Sequence, residues 1–159
     1  MNQILKMLEE DARLTPAQIA VMTELDEGDI KKAITDYEKD GVIVGYQALI
    51  DWDKTDREYV SAVIELKVQP EQEHGFDKVA EKICNYPEVK SLMLMSGGYD
   101  LQVIIEGKTL KEVAHFVASK VSTIDGVIST ATHFVLRKYK DHGVIYETPE
   151  VDERSSLII

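Results

Sequence analysis

The chain is short of cysteine, of long apolar runs and of positive charge, and each shortage closes off a class of function. Cys84 is the only cysteine among 159 residues. An intrachain disulfide and a cysteine-built metal site are therefore excluded, and the helical spacing of Cys84 from Ala80 predicts a small buried hydrophobe. No apolar run approaches the roughly 18 residues that a membrane-spanning helix needs. The first residues, MNQILKMLEEDARL, carry helical periodicity and acidic side chains where a secretory signal would be basic. A cytoplasmic protein with no membrane partner is expected. His74, His115, His133 and His142 are scattered, and none stands at a metal-ligand spacing. A G-x-S-x-G nucleophile motif and a Gly-rich phosphate loop leading into a helix are both missing. No catalytic residue, metal site or cofactor is expected, and the chain does not read as an enzyme. Lys and Arg number 18 against 29 Asp and Glu, a net charge of −11, which argues against indiscriminate affinity for nucleic acid.

What is present is the composition of an ordered globular protein, 44% hydrophobic and 30% charged. Ile4, Leu5 and Leu8 give a first helical stripe over residues 2 to 12. Thr15-Pro16 is a helix start, Thr as N-cap and Pro at the first helical position, and Ala17, Ile19, Ala20 and Val21 carry a short second helix. Asp26 caps a third helix whose apolar stripe is Ile30, Ala33, Ile34 and Tyr37, ended by Gly41. Lys31, Lys32, Thr35 and Asp36 face outward. Three short helices with a tight turn before the last make a helix-turn-helix. Val42 to Val44 and Tyr46 to Ile50 predict a two-stranded wing behind it. Residues 1 to 53 form this domain, and residues 1 to 51 hold five Lys/Arg against eleven Asp/Glu. The helix with the shape of a DNA reader is thus set in an acidic surface.

A polar linker, 54 to 58, follows. From Tyr59 the pattern is strand, helix, strand, strand, helix, strand. Val60, Ala62, Ile64, Leu66 and Val68 alternate; Phe76, Val79, Ala80 and Ile83 trace a helix face. Val89 to Met95 and Leu101 to Glu106 are strands joined by Ser96-Gly97-Gly98-Tyr99-Asp100. Leu110, Val113, Ala114, Val117 and Val121 make the second helix, and Ile128 to Tyr139 the last strand. The fold class is α+β, a winged helix-turn-helix followed by a ferredoxin-like βαββαβ domain over 59 to 141. Leu92 to Met95 are apolar without alternation, so both sheet faces need cover while one helix layer covers one face. A symmetric dimer through the sheets is the economical answer. Residues 142 to 159 form an acidic extension, with Leu157, Ile158 and Ile159 able to dock on a neighbour.

The words DARLTPAQIA, EKDGVIVGYQALID, SGGYDL and TIDGVISTATHFVL, in that order, resemble the Lrp/AsnC family of feast/famine regulators over about residues 1 to 140. The resemblance implies a homodimer assembling into a higher oligomer such as an octamer, double-stranded DNA as partner, and transcription control by a small-molecule effector such as an amino acid. It places DNA contacts at Gly28, Lys31, Lys32, Thr35 and Lys39, with Tyr46 and Gln47 on the backbone. It places an inter-subunit effector site at Ser96, Gly97, Gly98, Tyr99 and Asp100, with Thr130 and Thr132 as polar partners. Uncovered N–H groups at the two glycines suit a carboxylate, and Asp100 suits an ammonium group. The rival for the hairpin is ordinary turn chemistry, with Asp100 as its cap. Many members have Ser, Pro and Thr where this chain has Asp26, Glu27 and Gly28, and Arg at the positions of Ala33, Thr35 and Asp36. The rival for the whole chain is a sensor or assembly partner with a degenerate helix-turn-helix that acts through protein contacts.

Overall fold

A computed structural model describes residues 2–70 and 75–146. The expectations for His74 and for the docking of Leu157 to Ile159 lie outside the described residues. The chain divides into two compact units, Met1–Ile50 and Asp51–Ile159.

The first unit holds α1 (Asn2–Glu10), α2 (Pro16–Thr23) and α3 (Glu27–Lys39). Local chemistry starts two of them. Thr15 Oγ1 accepts from Gln18 N at 3.2 Å, and Thr15 N donates back to Gln18 Oε1 at 2.9 Å, a closed capping box. Asp26 Oδ1 accepts from Gly28 N at 2.8 Å and from Asp29 N at 3.2 Å. These bonds satisfy donors that the first helical turn leaves orphaned. Ile4, Leu8, Ile19 and Ile30, contributed by all three helices, are the buried core. The two-stranded wing does not form within the chain, since no strand lies between α3 and residue 60. Its first donors are already spent: Val42 N and Ile43 N both donate to the Tyr37 carbonyl, at 2.9 and 3.1 Å, finishing the helix and not a ladder.

The second unit begins with a 3₁₀ turn at Trp52–Lys54, inside what reads in sequence as the end of one domain and the start of a linker. It then runs β1 (Val60–Val68), α4 (Asp77–Cys84), β2 (Val89–Leu94), β3 (Leu101–Gly107), α5 (Leu110–Phe116) and β4 (Val127–Phe134). A single π turn, Val117–Val121, prolongs α5. The sheet order is β2-β3-β1-β4, antiparallel throughout. This is the ferredoxin-like arrangement. Alternation along β1 puts Ala62, Ile64, Leu66 and Val68 on one face, where they meet Leu101, Val103 and Ile105 of β3 and Val79, Ile83, Val113, Phe116 and Val121 of the helices. Strand β4 stops earlier than its apolar run predicts, because its partner β1 begins only at Val60; after the Val135 N to Ser61 O bond the chain leaves the sheet and Leu136 is 96% exposed. A short hairpin follows, β5 (Lys140–Asp141) with β6 (Val144–Ile145).

Cys84 is exposed, contrary to the buried hydrophobe expected from its spacing. The buried stripe of α4 is Val79 and Ile83, and Cys84, about 100° round from Ile83 on the last helical residue, has rotated out of it. The two side chains separate in a denaturation experiment: Ile64→Ala should lower unfolding free energy by about 2–5 kcal/mol. Cys84→Ala should stay within about 0.5 kcal/mol of the parent. A large effect at Cys84 would contradict its placement.

Candidate functional site

The predicted DNA-facing residues share one unit and two segments. Gly28, Lys31, Lys32, Thr35 and Lys39 are exposed along α3, and Tyr46 and Gln47 are exposed in the extended stretch behind it. Three of them have structural duties. A Cβ on Gly28 would stand 2.9 Å from Asp26 Oδ1, so the small residue there leaves room for the N-cap. Lys32 Nζ lies 3.1 Å from Asp36 Oδ2, an exposed pair that contributes little stability but occupies the cation. Tyr46 OH donates to Glu38 Oε1 at 2.9 Å, tying the stretch behind α3 to the helix. The Tyr46 pKa is raised, by burial first and then by that carboxylate. Lys31 and Lys39 have no ion-pair partner among the described residues. Thr35 Oγ1 donates to the Lys31 carbonyl at 2.9 Å, so its hydroxyl is held against the helix.

Sequence reasoning missed a groove in this unit. Leu5, Leu8 and Ala12 of the first helix and its continuation face Val42, Val44 and Tyr46 across a cavity of about 570 Å³. Its signal was the uncommitted apolar run after Gly41; Val44 is 94% exposed.

Of the predicted effector residues, Ser96 to Asp100 lie together at one end of the second unit's sheet, and Thr130 and Thr132 stand apart from them on β4. Ser96, Gly97 and Gly98 form the exposed tip of the β2–β3 hairpin, with Tyr99 and Asp100 half-buried. Gly97 has φ +147, a conformation open to glycine, and nothing lies within 4 Å of a Cβ built there. Asp100 is the stitch at the base. Its N–H donates to Leu66 O at 2.8 Å, its carbonyl accepts from Met95 N at 2.7 Å, and its Oδ2 accepts from Val68 N at 2.8 Å. Val68 N is directed, like the Leu66 carbonyl, toward the β3 side and lies beyond the last β1–β3 pair, Leu66 with Leu101. Asp100 thus serves as a cap, as the turn reading expects, and has one carboxylate oxygen left over. Leu66 pairs with Leu101 on one side and Thr130 on the other, so Thr130 stands two strands, about 10 Å, across from the hairpin base. Its hydroxyl is 3.4 Å from Ser122 Oγ. Thr132 pairs with Ile64, one row further along the same helix-side face.

The opposite sheet face carries Val63, paired with Ile104 and His133, and Met93, paired with Gln102. Both helices pack on the other side. Met93 is 39% exposed, and His133 Nε2 lies 3.6 Å from Glu65 Oε2 on this open face.

Among the described residues no group of three or more His, Cys, Asp or Glu could hold a metal ion, and no helix is long and apolar enough to cross a membrane.

Comparison with known proteins covers both units. Residues 2–44 match a winged helix-turn-helix DNA-binding model, and residues 61–145 match the Lrp/AsnC ligand-binding domain. The uncharacterised HTH-type transcriptional regulator YugG of Bacillus subtilis is 46% identical over 154 residues, spanning 96% of this chain and 93% of the relative. A feast or famine regulatory protein from M. tuberculosis, solved with L-methionine, has TM-score 0.71 at 18% identity, with 87% of this chain and 90% of that one covered. A Neisseria meningitidis transcriptional regulator, also solved with L-methionine, has TM-score 0.67 at 22% identity, with 87% and 88% covered. At those identities the two structures speak to the fold alone.

Proposed function

The chain belongs to the Lrp/AsnC family of transcriptional regulators, and from that premise we propose that it reads DNA with α3 and tunes that reading through a small molecule bound at the Ser96–Asp100 hairpin. The observation that carries the first half is the outward face of α3, where Lys31 and Lys39 are free for phosphates while Lys32 is shared with Asp36. The acidic first turn, Glu27 and Asp29 behind the Asp26 cap, repels the same phosphates. A single reader is accordingly weak, and several paired readers on one assembly supply the affinity through effective concentration. The acid also sustains the second reading, a helix-turn-helix that no longer grips DNA and works through protein contacts.

The assembly rests on the sheet face that no helix covers, with a second copy of the chain laying its own Val63, Met93 and Ile104 against it as a symmetric dimer. Dimers then join into a larger ring in the cytoplasm, with the effector between subunits. For the effector, the backbone N–H groups of Gly97 and Gly98 take a carboxylate and the spare oxygen of Asp100 an ammonium group, while Thr130 and Thr132, two strands away, would take part only through a ligand long enough to span that distance. L-methionine, held by two proteins of similar fold, is the first amino acid to try.

Three measurements test these parts separately. In gel shifts on the DNA upstream of the protein's own gene, Lys31→Ala with Lys39→Ala should flatten the log affinity against log salt slope by about 2. Asp26→Ser, which keeps a capping oxygen and removes a charge, should tighten binding. Unchanged affinity and slope in both would hand the case to the protein-contact reading. Ile104→Glu, which puts a charge on the proposed sheet interface, should convert the assembly to monomers by light scattering with its helicity kept; an unaltered mass removes that interface. Asp100→Asn retains an acceptor for Val68 N–H, so it should fold normally yet lose any rise in melting temperature that L-methionine or another amino acid produces. A rise of the same size would show that the ligand sits elsewhere.

A further inference from the structure

At the far end of β1 from the hairpin lies a cavity of about 440 Å³ walled by Arg57, Glu58, Lys90, Glu106, Lys108 and Glu112. Val60 pairs with Gly107 at this end and Leu66 with Leu101 at the other, so roughly 20 Å of strand separates the two places. The wall holds three cations and three anions, but their commitments differ. Glu106 uses both oxygens: Oε1 accepts from Tyr59 OH at 3.1 Å and Oε2 lies 4.0 Å from Lys90 Nζ. The Tyr59 pKa is raised, by burial first and then by the Glu106 charge, which keeps the phenol a donor and holds Glu106 in that bond. Glu112 is turned to the backbone, its Oε2 accepting from Lys108 N at 2.9 Å. Arg57, Lys108, Glu58 and Glu112 are left with no ion-pair partner among the described residues, two charges of each sign, so what an oxyanion would meet here is decided by how the two cations are held.

Arg57 is the unusual member. Its Cζ sits 4.1 Å from the Trp52 ring centroid and 5.7 Å from that of Tyr59. Attraction to the ring faces fixes where the guanidinium is without using its N–H donors. A guanidinium held this way, and not by a carboxylate, offers a ready fork to an oxyanion from outside.

We propose that this cavity binds a small metabolite through a carboxylate or phosphate group seated on Arg57 and Lys108. The volume falls within the range of small-molecule pockets, roughly 300–1,000 Å³, and is too small for a folded partner. None of its wall belongs to the Ser96–Asp100 hairpin, so the site stands or falls independently of the effector reading.

The experiment is differential scanning fluorimetry on the full chain with inorganic phosphate, succinate and sodium chloride at matched ionic strength, each up to about 20 mM. At least one oxyanion should raise the melting temperature beyond the chloride control, and the one that does identifies the group. Arg57→Gln and Lys108→Gln, both at exposed positions, should each weaken that ligand about tenfold or more, whereas Asp100→Asn should leave its binding intact. A shift retained by both cavity variants, lost in Asp100→Asn, or absent for both oxyanions overturns the proposal.

Discussion

A four-stranded sheet with both of its helices on one side has a second side to dispose of, and much of the second unit follows from that constraint. The helix side is settled by β1, whose Ala62, Ile64, Leu66 and Val68 are all nearly or fully buried. Between them they meet β3 and both helices. The other side alternates in register but not in polarity, with Val63, Ile104 and Met93 standing among Glu65, Gln102 and His133. An apolar strip of this kind costs free energy in water and repays a second copy that covers it. The same pleat that builds the core thus leaves a second, partly apolar face with no helix packed on it.

The first unit shows the opposite economy, in which one charge serves stability and opposes function. Asp26 satisfies two amide donors and complements the positive end of the α3 dipole. The same carboxylate would face a DNA phosphate across water, where two unit charges some 7 Å apart repel by about 0.6 kcal/mol before salt screening. The cap contributes about as much as a phosphate contact would lose. A helix start of this composition favours the stability of α3 over the approach of a phosphate.

What could be read from the sequence was local, and what escaped was made by residues distant in the chain. The caps at Thr15 and Asp26 and the alternation in β1 each depend on neighbours within a few positions, and the structure has them where the spacing puts them. The helix-turn-helix and the βαββαβ order followed from stringing such signals together. The stretch expected to pair as a wing forms no strand in this chain, and Val42 N and Ile43 N close the helix on the Tyr37 carbonyl, an event at a helix end that periodicity does not register. Cys84 failed because a stripe on a helix of eight residues rotates away at its last position. At the candidate sites, Asp100 was legible as either a cap or a ligand, while its bond to Val68 spans 32 positions and depends on where the β1–β3 ladder ends. The cavity at Arg57 needed the stretch before β1, strands β2 and β3 and the start of α5 assembled; in sequence its only trace was an arginine between Trp52 and Tyr59.

The bond from Val68 N–H to the Asp100 carboxylate has a consequence for how the hairpin's motion can be observed. That amide lies beyond the last β1–β3 pair and has Asp100 Oδ2 as its acceptor, so it is shielded from water while the base of the hairpin is closed. Its exchange with solvent deuterium therefore clocks the opening of the hairpin, one amide proton standing as a native reporter for the whole loop. Anything that seats itself on Ser96–Asp100 and stiffens it would be recorded on β1, a different strand from the two that the hairpin joins.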